Sequence, residues 1–339
     1  MVRNDHPLVT FYIVAYNQQR YVREAVEGAL AQTYSPLEIV LSDDGSQDRT
    51  FQIMREVATA YSGPHSVRLN RNEHNLGIIR HVSRVFAMAS GELLVAGAGD
   101  DVSAPERTTA LVEAWRAHSR APDGLHSGYL AVTGGTEKVV LPPESLDLEA
   151  HCRRGTSNVL GATAAWTQRL LRKWGPLPPE GLAEDQILTF RALLSGGMLP
   201  VAKPLVRSHR SKDRRRTATR LERTLWSCRR NQYFFRTYEA DLMQWSSRAE
   251  HSTERRDRLL KLLRVSRRRA ERDAWLLARG RAFLALYCVR LACGVAWNAP
   301  RGIRARARRT LSVMREGVSG RRWTTVPDPL DHRGLRGGL

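Results

Sequence analysis

The stretch that decides the fold is residues 8–48, LVTFYIVAYNQQRYVREAVEGALAQTYSPLEIVLSDDGSQD. It opens with an unbroken apolar run over 8–15, rich in β-branched and aromatic residues, which is typical of a buried parallel strand. Apolar residues then recur at helical spacing over 21–33. A second apolar run at 38–41 ends in a turn cluster over 42–46. Strand, helix and strand in this order predict a βαβ unit.

The same alternation continues to about residue 101. Helices are predicted over 50–61 and 78–89, and strands over 67–70 and 92–96. Right-handed crossovers place the carboxyl ends of such parallel strands at one edge of the sheet, and ligands bind in the crevice beyond that edge. We therefore expect an α/β fold with a mostly parallel central sheet, flanked by helices, and a binding site at this edge.

The rest of the chain is predicted in two parts. Between residues 102 and 212 the pattern is mixed, with helices over 105–118 and 182–195, a strand or turn and then a helix within 156–175, short strands near 128–133 and 138–141, and a late strand over 203–209. From about 214 to 320 the pattern becomes helical and basic, with Trp226, Tyr233, Phe234 and Phe235 expected in the helix core. We expect a catalytic domain over 1–212, a basic helical region over 213–320 and a disordered tail over 321–339.

The charge is strongly positive and unevenly spread. Lys and Arg number 54 against 34 Asp and Glu, a formal net charge of +20. The basic runs after residue 205 include 214–216, 267–269 and 304–309. Such a field attracts an anionic membrane surface, a phosphorylated substrate or nucleic acid, although a solvated helix face explains the same pattern. No nucleic-acid-binding module is recognisable, which disfavours nucleic acid as the partner.

Other features bear on the cellular compartment. The four cysteines form no CxxC pair, which favours a reducing cytoplasm, and the amino terminus shows no signal-peptide pattern. The apolar segment 282–299 carries Arg290 near its centre and is short for a membrane span, so a surface-lying or core-packed amphipathic helix is expected. We expect a cytoplasmic protein that associates peripherally with the inner face of the cell membrane, or that forms a homodimer through its basic region.

Polar residues converge at the predicted edge of the sheet. Asn17 follows the first strand, Asp43 and Asp44 follow the second, and Asp100 and Asp101 follow the fourth. Carboxylates accept hydrogen bonds from a base or a ribose, and one or two carboxylates with a substrate phosphate are the usual ligands of Mg2+ or Mn2+. A single nucleotide-binding site at this edge explains the convergence. Each aspartate pair is equally explained, taken alone, as a turn with a helix N-cap.

A series of short motifs in a fixed order resembles glycosyltransferase family 2. The similarity covers about residues 7–212 and consists of Tyr16-Asn17, Gln32-Thr33-Tyr34, Glu38-Ile39-Val40, Asp43-Asp44-Gly45-Ser46-Gln47-Asp48, Asn75-Leu76-Gly77, Ser90-Gly91-Glu92, Asp100-Asp101, Gly175-Pro176-Leu177-Pro178, Ala183-Glu184-Asp185-Gln186 and Pro204-Leu205-Val206-Arg207-Ser208-His209. The resemblance implies a Rossmann-like GT-A fold and an inverting transfer from a nucleoside-diphosphate sugar, with a UDP- or dTDP-sugar donor and a saccharide or lipid-linked acceptor.

The resemblance also implies roles for individual residues. Asp185, with Glu184 beside it, matches the catalytic base, and a carboxylate of this kind accelerates proton transfer by about 10²–10⁴-fold. Asp100 matches the metal-binding carboxylate, and His209 lies where some members supply another metal or phosphate contact. The donor-binding residues are expected to be Ala15, Tyr16, Asn17, Asp43, Asp44, Asn75, Gly77, Arg80 and Asp101.

Some alternatives stay open. The family often carries Asp-x-Asp-Asp where this chain has Ala98-Gly99-Asp100-Asp101, so a weaker metal affinity is expected. Glu184-Asp185 is also explained as the solvated first turn of a helix, and His209 as a surface residue. A nucleotidyltransferase would need a glycine-rich loop where Tyr16 to Gln19 lacks glycine. A non-catalytic or polyanion-binding protein that uses the Arg-rich C-terminal helices is the remaining alternative.

Overall fold

The computed structural model describes residues 6–209, 220–246 and 253–278. Within these ranges the strands are β1 (Val9–Ala15), β2 (Leu37–Asp43), β3 (Ser66–Arg71), β4 (Leu93–Ala98), β5 (Asp101–Ser103), β6 (Gly124–Thr133), β7 (Thr136–Val140), β8 (Ala164–Thr167) and β9 (Met198–His209). The helices are α1 (Val22–Leu30), α2 (Thr50–Thr59), α3 (Ile78–Met88), α4 (Arg107–Ala117), α5 (Leu148–Arg154), α6 (Gln168–Trp174), α7 (Glu184–Leu194), α8 (Arg220–Ser246) and α9 (Thr253–Ala278).

One sheet organises the chain, in the order β3-β2-β1-β4-β8-β6-β9-β5, with β7 paired to β6. The first four strands are mutually parallel, as predicted. Ala15 at the end of β1 is level with Asp43 at the end of β2, and Val14 is level with Ala98 at the end of β4. The three strands therefore end at one edge and at one height. Beyond β4 the sheet becomes mixed, because β8 runs antiparallel to β4.

The core lies on both faces of this sheet, following the two-residue period of the strands. On one face Phe11 and Ile13 of β1 pack with Val22 and Val26 of α1. On the other face Tyr12 packs with Val85 of α3. All six side chains are buried. The central strand is thus covered by helices on both sides, which explains why its sequence is continuously apolar rather than alternating.

Helices α8 and α9 pack against the sheet domain through α5 and α7. Phe234 and Tyr238 of α8 belong to the same apolar cluster as Phe190 of α7, and the Phe190 and Tyr238 rings stack with centroids 4.2 Å apart. Arg191 of α7 and Asp241 of α8 form a buried ion pair with two contacts of 2.9 Å. The basic region is therefore helical and joined to the core wherever the structure describes it.

Most predicted elements are confirmed, with a few differences. The two short strands expected near 128–133 and 138–141 are the longer β6 and the hairpin partner β7. Trp226 was expected in the core, which is wrong: its side chain is 39% exposed, although Phe234 and Phe235 are buried as predicted. In the described ranges no helix is long and apolar enough to cross a membrane. The apolar segment 282–299, the predicted tail and the predicted boundary at residue 212 lie outside the described residues.

The Arg191–Asp241 pair predicts a large loss of stability in one variant. Asp241→Asn leaves the guanidinium of Arg191, whose side chain is only 4% exposed, without its anionic partner. We expect the free energy of unfolding to fall by about 3–5 kcal/mol, measured by urea denaturation. As a control, Glu56→Gln breaks ion pairs with Arg23 and Arg49, whose side chains are 52% and 64% exposed, and it should cost less than about 1 kcal/mol. Equal losses in the two variants would contradict this account.

Candidate active site

The ends of β1 and β2 are tied together by crossed hydrogen bonds. The Asn17 backbone N–H donates to Ser46 Oγ at 2.9 Å, and the Gln47 N–H donates to Asn17 Oδ1 at 2.9 Å. Asn17 adopts a positive φ of 52°, which asparagine tolerates better than most residues. The two turns that were predicted to line a donor site therefore form one rigid unit.

Asp43 closes the turn after β2 and is fully buried. Its carboxylate accepts hydrogen bonds from the backbone N–H of Ser46, at 3.0 Å, and from the Ser46 hydroxyl. Arg71 of β3 lies with its Nε 3.6 Å from the same carboxylate. Burial raises the pKa of Asp43, and the hydrogen bonds from Ser46 oppose that effect. Asp43 thus shapes the turn, whatever further contact a bound donor makes.

Asp44 anchors the loop that carries Asn75 and Gly77. Its Oδ1 accepts from Asn72 Nδ2 at 2.7 Å and from the Leu76 N–H at 3.0 Å, while its Oδ2 accepts from the Gly77 N–H at 3.0 Å. Asn75 Oδ1 accepts a further bond from the Gly77 N–H at 2.9 Å. Gly77 has φ of +79° and precedes α3, so the turn favours glycine there. The predicted base contact of Asp43 or Asp44 stays a prediction.

A buried polar network behind Asp44 was not predicted. His81 Nε2 lies 2.7 Å from Ser42 Oγ, and Asn70 Nδ2 donates to Ser42 Oγ at 2.9 Å and to Asn72 Oδ1 at 3.1 Å. Asn72 then donates to Asp44. Burial lowers the pKa of His81 to about 4, so its imidazole is neutral at ordinary pH. The residues around His81 in α3 form an apolar face, and nothing in the nearby sequence indicates a polar partner for the histidine. The role of His81 follows only from the packing of α3 on β2.

Asp100 and Asp101 form the turn after β4. Asp101 is buried and accepts hydrogen bonds from the Ser208 side chain and from the His209 backbone. Burial, and secondarily the neighbouring Asp100, raise the pKa of Asp101 to about 6. Gly99 allows this turn to lie against β1, because a Cβ there would come within 2.7 Å of Ala15 Cβ. Asp101 is therefore held by β9 and Asp100 is presented at the sheet edge.

Arg107 is a second buried residue that the sequence did not reveal. Its guanidinium has no exposed surface, lies over the Phe11 ring at 5.6 Å, and donates to Ser103 Oγ at 2.9 Å. Burial lowers its pKa to about 9, and the negative charge of Asp101 opposes that effect. The cation lies under the turn that holds Asp101 and so favours the ionised form of that carboxylate.

His209 is brought next to Asp100 by the pairing of β5 with β9, in which Asp101 is level with Ser208. Its Nδ1 lies 3.0 Å from the Asp100 carbonyl oxygen and so carries the proton, while its ring stacks on Tyr21 with centroids 5.4 Å apart. Its Nε2 accepts from Arg207 Nη1 at 3.1 Å. The predicted proximity of His209 to Asp100 is thus present. The described residues contain no group of three or more His, Cys, Asp or Glu side chains that could hold a metal ion.

Glu184 and Asp185 begin α7, under the loop that precedes β8. The Gly161 N–H donates to Asp185 Oδ2 at 3.1 Å, whereas Asp185 Oδ1 is buried and has no hydrogen-bond partner. Gln186 ties the same loop down, since its side chain accepts from the Ser157 N–H at 2.7 Å and donates to the Val159 carbonyl at 3.3 Å. Glu184 and Asp185 are therefore not simply the solvated first turn of a helix, because the Asp185 carboxylate is hydrogen-bonded to the loop before β8.

The electrostatics of this pair separate the two carboxylates. Burial, with the charge of Asp185 second, raises the pKa of Glu184 to about 8. Burial also raises the pKa of Asp185, to about 6, while hydrogen bonds from Gln186 and Gly161 and the charge of Arg230 oppose the rise. Burial thus raises the pKa of both carboxyls, and the hydrogen bonds from Gln186 and Gly161 favour the ionised form of Asp185. Two neighbouring carboxyls with separated pKa values are the arrangement that acid–base chemistry uses.

The remaining predicted donor-binding residues lie near the carboxyl edge of the sheet. Ala15 is buried, Tyr16 is half-buried and Asn17 is exposed at the mouth of the edge. Arg80 is exposed on the first turn of α3, and none of the described hydrogen bonds or ion pairs includes it. These positions leave Asn17 and Arg80 accessible to a ligand at the carboxyl edge of the sheet.

Comparison with known proteins agrees with this architecture. Residues 10–128 match the model of Glycosyl transferase family 2. Over these residues the chain is similar to glycosyltransferase family 2. The matched region contains β1 to β4 and both aspartate turns, whereas Asp185 and His209 lie beyond it.

A Mycobacterium tuberculosis (strain H37Rv) protein is 27% identical over 200 residues, covering 58% of this chain and 57% of that protein. The match thus spans little more than half the length of that relative. Staphylococcus aureus TarS, residues 1–349, in complex with UDP-GlcNAc, superposes with a TM-score of 0.58 at 17% identity, covering 91% of this chain and 89% of that one. A mannosyltransferase of Pyrobaculum calidifontis, in complex with GDP-Man and Mn2+, gives 0.53 at 18% identity, covering 92% and 86%. The shared fold is GT-A.

The Asp44 anchor predicts local loosening in a conservative variant. Asp44→Asn places an amide N–H opposite a backbone N–H of the loop, since Asn offers only one acceptor oxygen to three donors. We expect faster hydrogen–deuterium exchange in a peptide covering residues 72–80, measured by mass spectrometry. Asp48→Asn, which changes a carboxylate in the neighbouring turn, should leave that peptide unaffected. An unchanged exchange rate in Asp44→Asn would show that the loop does not depend on this carboxylate.

Proposed function

We propose that the protein is an inverting glycosyltransferase that moves a hexosyl group from a UDP- or dTDP-sugar to a hydroxyl of a saccharide or lipid-linked acceptor, in the synthesis of a cell-surface polysaccharide or glycan. The observation that carries this proposal is Asp185. One of its carboxylate oxygens is fixed by the Gly161 N–H, and the other is buried without a partner. A buried acceptor atom left unpaired costs free energy, and we propose that an acceptor hydroxyl satisfies it when substrate binding opens this corner.

The proposed reaction is a single displacement. The acceptor hydroxyl donates its proton to Asp185 as its oxygen forms a bond to the anomeric carbon, and the bond from that carbon to the diphosphate oxygen breaks. The nucleoside diphosphate leaves with the electron pair, and the anomeric configuration inverts. Asp185 accepts the proton because hydrogen bonds from Gln186 and Gly161 stabilise its ionised form.

The proposed donor site uses the carboxyl edge of β1, β2 and β4. Ala15, Tyr16 and Asn17 line the base pocket with the Asp43 and Asp44 turn, and Asn75 and Gly77 border it through the loop that Asp44 holds. Arg80 is exposed one turn into α3, where it can reach a diphosphate. Positive charge at a departing diphosphate stabilises the charge that develops as the bond breaks.

The donor set suits a divalent ion that is bound chiefly by the substrate. Asp100 offers a carboxylate and His209 an imidazole, whereas Asp101 is engaged by β9 and Ala98 supplies no ligand. Mg2+ and Mn2+ accept few protein ligands when phosphate oxygens and water complete the shell. When bound, such an ion neutralises charge on the leaving diphosphate. We propose that Asp100 and His209 hold it, with Arg207 moving away from His209 Nε2.

The proposed base predicts a selective loss of transfer. Asp185→Asn should lower the rate of transfer by about 10²–10⁴-fold, because the amide cannot accept the proton, while donor affinity measured calorimetrically with Mn2+ changes little. The rate of the unaltered protein should fall as the pH drops below about 6, since protonated Asp185 is no longer a base. Glu180→Gln, an exposed carboxylate in the preceding loop, is the control. Full activity in Asp185→Asn, or no turnover by the unaltered protein with any donor of a UDP-, dTDP- and GDP-sugar panel, would contradict the proposal and favour the non-catalytic alternative.

We also propose that the basic helical region docks the catalytic domain on an anionic membrane. The outward face of α9 carries exposed cations and two exposed apolar side chains, Val265 at 60% and Trp275 at 45%. Glu271 and Asp273, the carboxylates of this stretch, are already engaged by arginines. Cations flanked by an exposed tryptophan are typical of helices that lie in a membrane interface. The exposed cations outside these ion pairs are Lys261, Arg264, Arg268 and Arg269.

This face predicts charge-dependent binding to vesicles. Replacing Lys261, Arg264 and Arg268 by Gln should weaken binding to vesicles of phosphatidylcholine and phosphatidylglycerol by about 100-fold, at about 1 kcal/mol per cation. Co-sedimentation at low salt measures this, with pure phosphatidylcholine vesicles as the lipid control. The matched protein control replaces Arg55, Arg84 and Arg116, which are exposed elsewhere. No binding at low salt, or equal weakening in both triple variants, would sink the membrane proposal.

A further inference from the structure

The loop before β8 is fastened to the start of α7 at every second residue. The Ser157 N–H donates to Gln186 Oε1 at 2.7 Å, and Gln186 Nε2 donates to the Val159 carbonyl at 3.3 Å. The Gly161 N–H then donates to Asp185 Oδ2 at 3.1 Å. The carboxylate of Asp185 is therefore held in place by a loop, and its position depends on where that loop lies relative to α7.

Helix α8 holds the other end of the same loop through one hydroxyl. The Tyr238 hydroxyl lies 3.1 Å from the Gly155 carbonyl, where the loop begins, and 3.3 Å from the Gln186 carbonyl in the first turn of α7, and it can donate to either. Gly155 has a φ of +78°, and a Cβ there would come within 3.0 Å of the Phe235 ring, so only glycine brings the backbone this close to α8 without strain. The hydroxyl thus bridges the loop and the helix that carries Asp185.

A third partner orients the Tyr238 hydroxyl. The hydroxyl has one proton to donate, and the two carbonyl oxygens compete for it. His151 Nε2 of α5 lies 3.0 Å from the hydroxyl oxygen. Burial lowers the pKa of His151 to about 4, so its imidazole is neutral and donates from Nε2, while Nδ1 is buried without a hydrogen-bond partner. Because both side chains are buried, a bond lost here leaves polar groups that water does not satisfy.

The Tyr238 ring is held independently of its hydroxyl. It stacks on Phe190 of α7, with centroids 4.2 Å apart, and on Phe234 of its own helix, with centroids 5.9 Å apart and planes within 7° of parallel. The buried Arg191–Asp241 pair joins the same two helices. The contact between α7 and α8 therefore does not depend on the hydroxyl, and the contribution of the hydroxyl can be measured on its own.

We infer that Tyr238 is a positioning residue for the proposed base: its hydroxyl fixes the loop before β8 against the first turn of α7, so that the Asp185 carboxylate keeps its place. The inference rests on the proposed function for its consequence in catalysis, whereas the order of the loop does not depend on that function. Tyr238 gives and takes no proton in the reaction. A residue of the basic helical region thus contributes to the arrangement of the proposed site.

The direct test is the order of the loop in Tyr238→Phe, which removes the hydroxyl and keeps the stacked ring. We expect faster hydrogen–deuterium exchange in a peptide covering residues 155–163, measured by mass spectrometry, because the N–H groups of Ser157 and Gly161 open more often when one end of the loop is released. Tyr233→Phe is the matched control, since it removes a buried hydroxyl of the same helix that has no hydrogen-bond partner. Unchanged exchange in Tyr238→Phe, or equal acceleration in both variants, overturns the inference.

Transfer kinetics test the consequence for catalysis, with the donor of the panel above that supports transfer. In Tyr238→Phe we expect kcat to fall by about 10- to 100-fold, because a small misplacement of a catalytic group costs a factor of this order. The donor KM should stay close to that of the unaltered protein, since the proposed donor site lies on β1, β2 and β4. Tyr233→Phe should change neither. An unchanged kcat in Tyr238→Phe overturns the inference, as does a donor KM that rises as much as kcat falls, because that result marks general damage.

Failure of the proposed base and failure of this inference give different results. If Asp185→Asn keeps full activity while Tyr238→Phe loosens the loop, the proposed base is wrong and the positioning of the carboxylate by Tyr238 stands. If Asp185→Asn is inactive while Tyr238→Phe matches the unaltered protein in exchange and kcat, the base stands and the inference falls. Thermal unfolding followed by circular dichroism establishes that both tyrosine variants are folded at the temperature of the measurements.

The unaltered protein supplies a test that does not depend on the folding of a variant. The peptide covering residues 155–163 should exchange about as slowly as a peptide from α7, because the loop and the helix are held together at both ends. The exposed segment 141–147 is the reference for a loop without such bonds. Exchange of 155–163 at the rate of that segment overturns the inference.

Discussion

The parallel alignment of β1 between β2 and β4 is the constraint on which the rest of the structure depends. Ala15, Asp43 and Ala98 end their strands at one level, so the turns that follow them meet at one edge. The crossed bonds between Asn17 and the Ser46 turn then lock two of these turns together, and Gly99 lets the third lie against them. A slip of one residue in this register would turn the polar ends into the core and separate the site.

The acidic residues described above fall into two groups. Some use their oxygens to hold the turns in place, and one has an oxygen without a hydrogen-bond partner. The carboxylates of Asp43 and Asp44 accept hydrogen bonds from the turn after β2 and from the loop before α3. The carboxylate of Asp101 accepts hydrogen bonds from β9. Asp185 differs, because one of its oxygens is unsatisfied. The proposed role of Asp185 as the base rests on this unsatisfied oxygen.

The first hundred residues could be predicted in detail because the information there is local. The apolar runs, the helical spacing and the polar strand ends each lie within a few residues of the element that they determine, and the predicted strands and helices match β1 to β4 and α1 to α3 closely. The ordered motifs predicted the family in the same way. His81 and Arg107 could not be predicted, because their roles come from contacts with residues 39 and 57 positions away. The exposure of Trp226 could not be predicted either, because aromatic spacing on a helix does not say which face is covered.

The link between α7 and α8 has a consequence for how the enzyme meets its substrates. Because the Arg191–Asp241 pair and the Tyr238 hydroxyl join these helices through buried contacts, the corner that holds Asp185 and the outward face of α9 belong to one packed body. If the outward face binds a membrane, as we propose, that binding also fixes the orientation of the corner that holds Asp185. Binding to the surface and the orientation of the site would then be fixed together. An acceptor anchored to the same surface would reach the site at a fixed angle and height rather than by free tumbling.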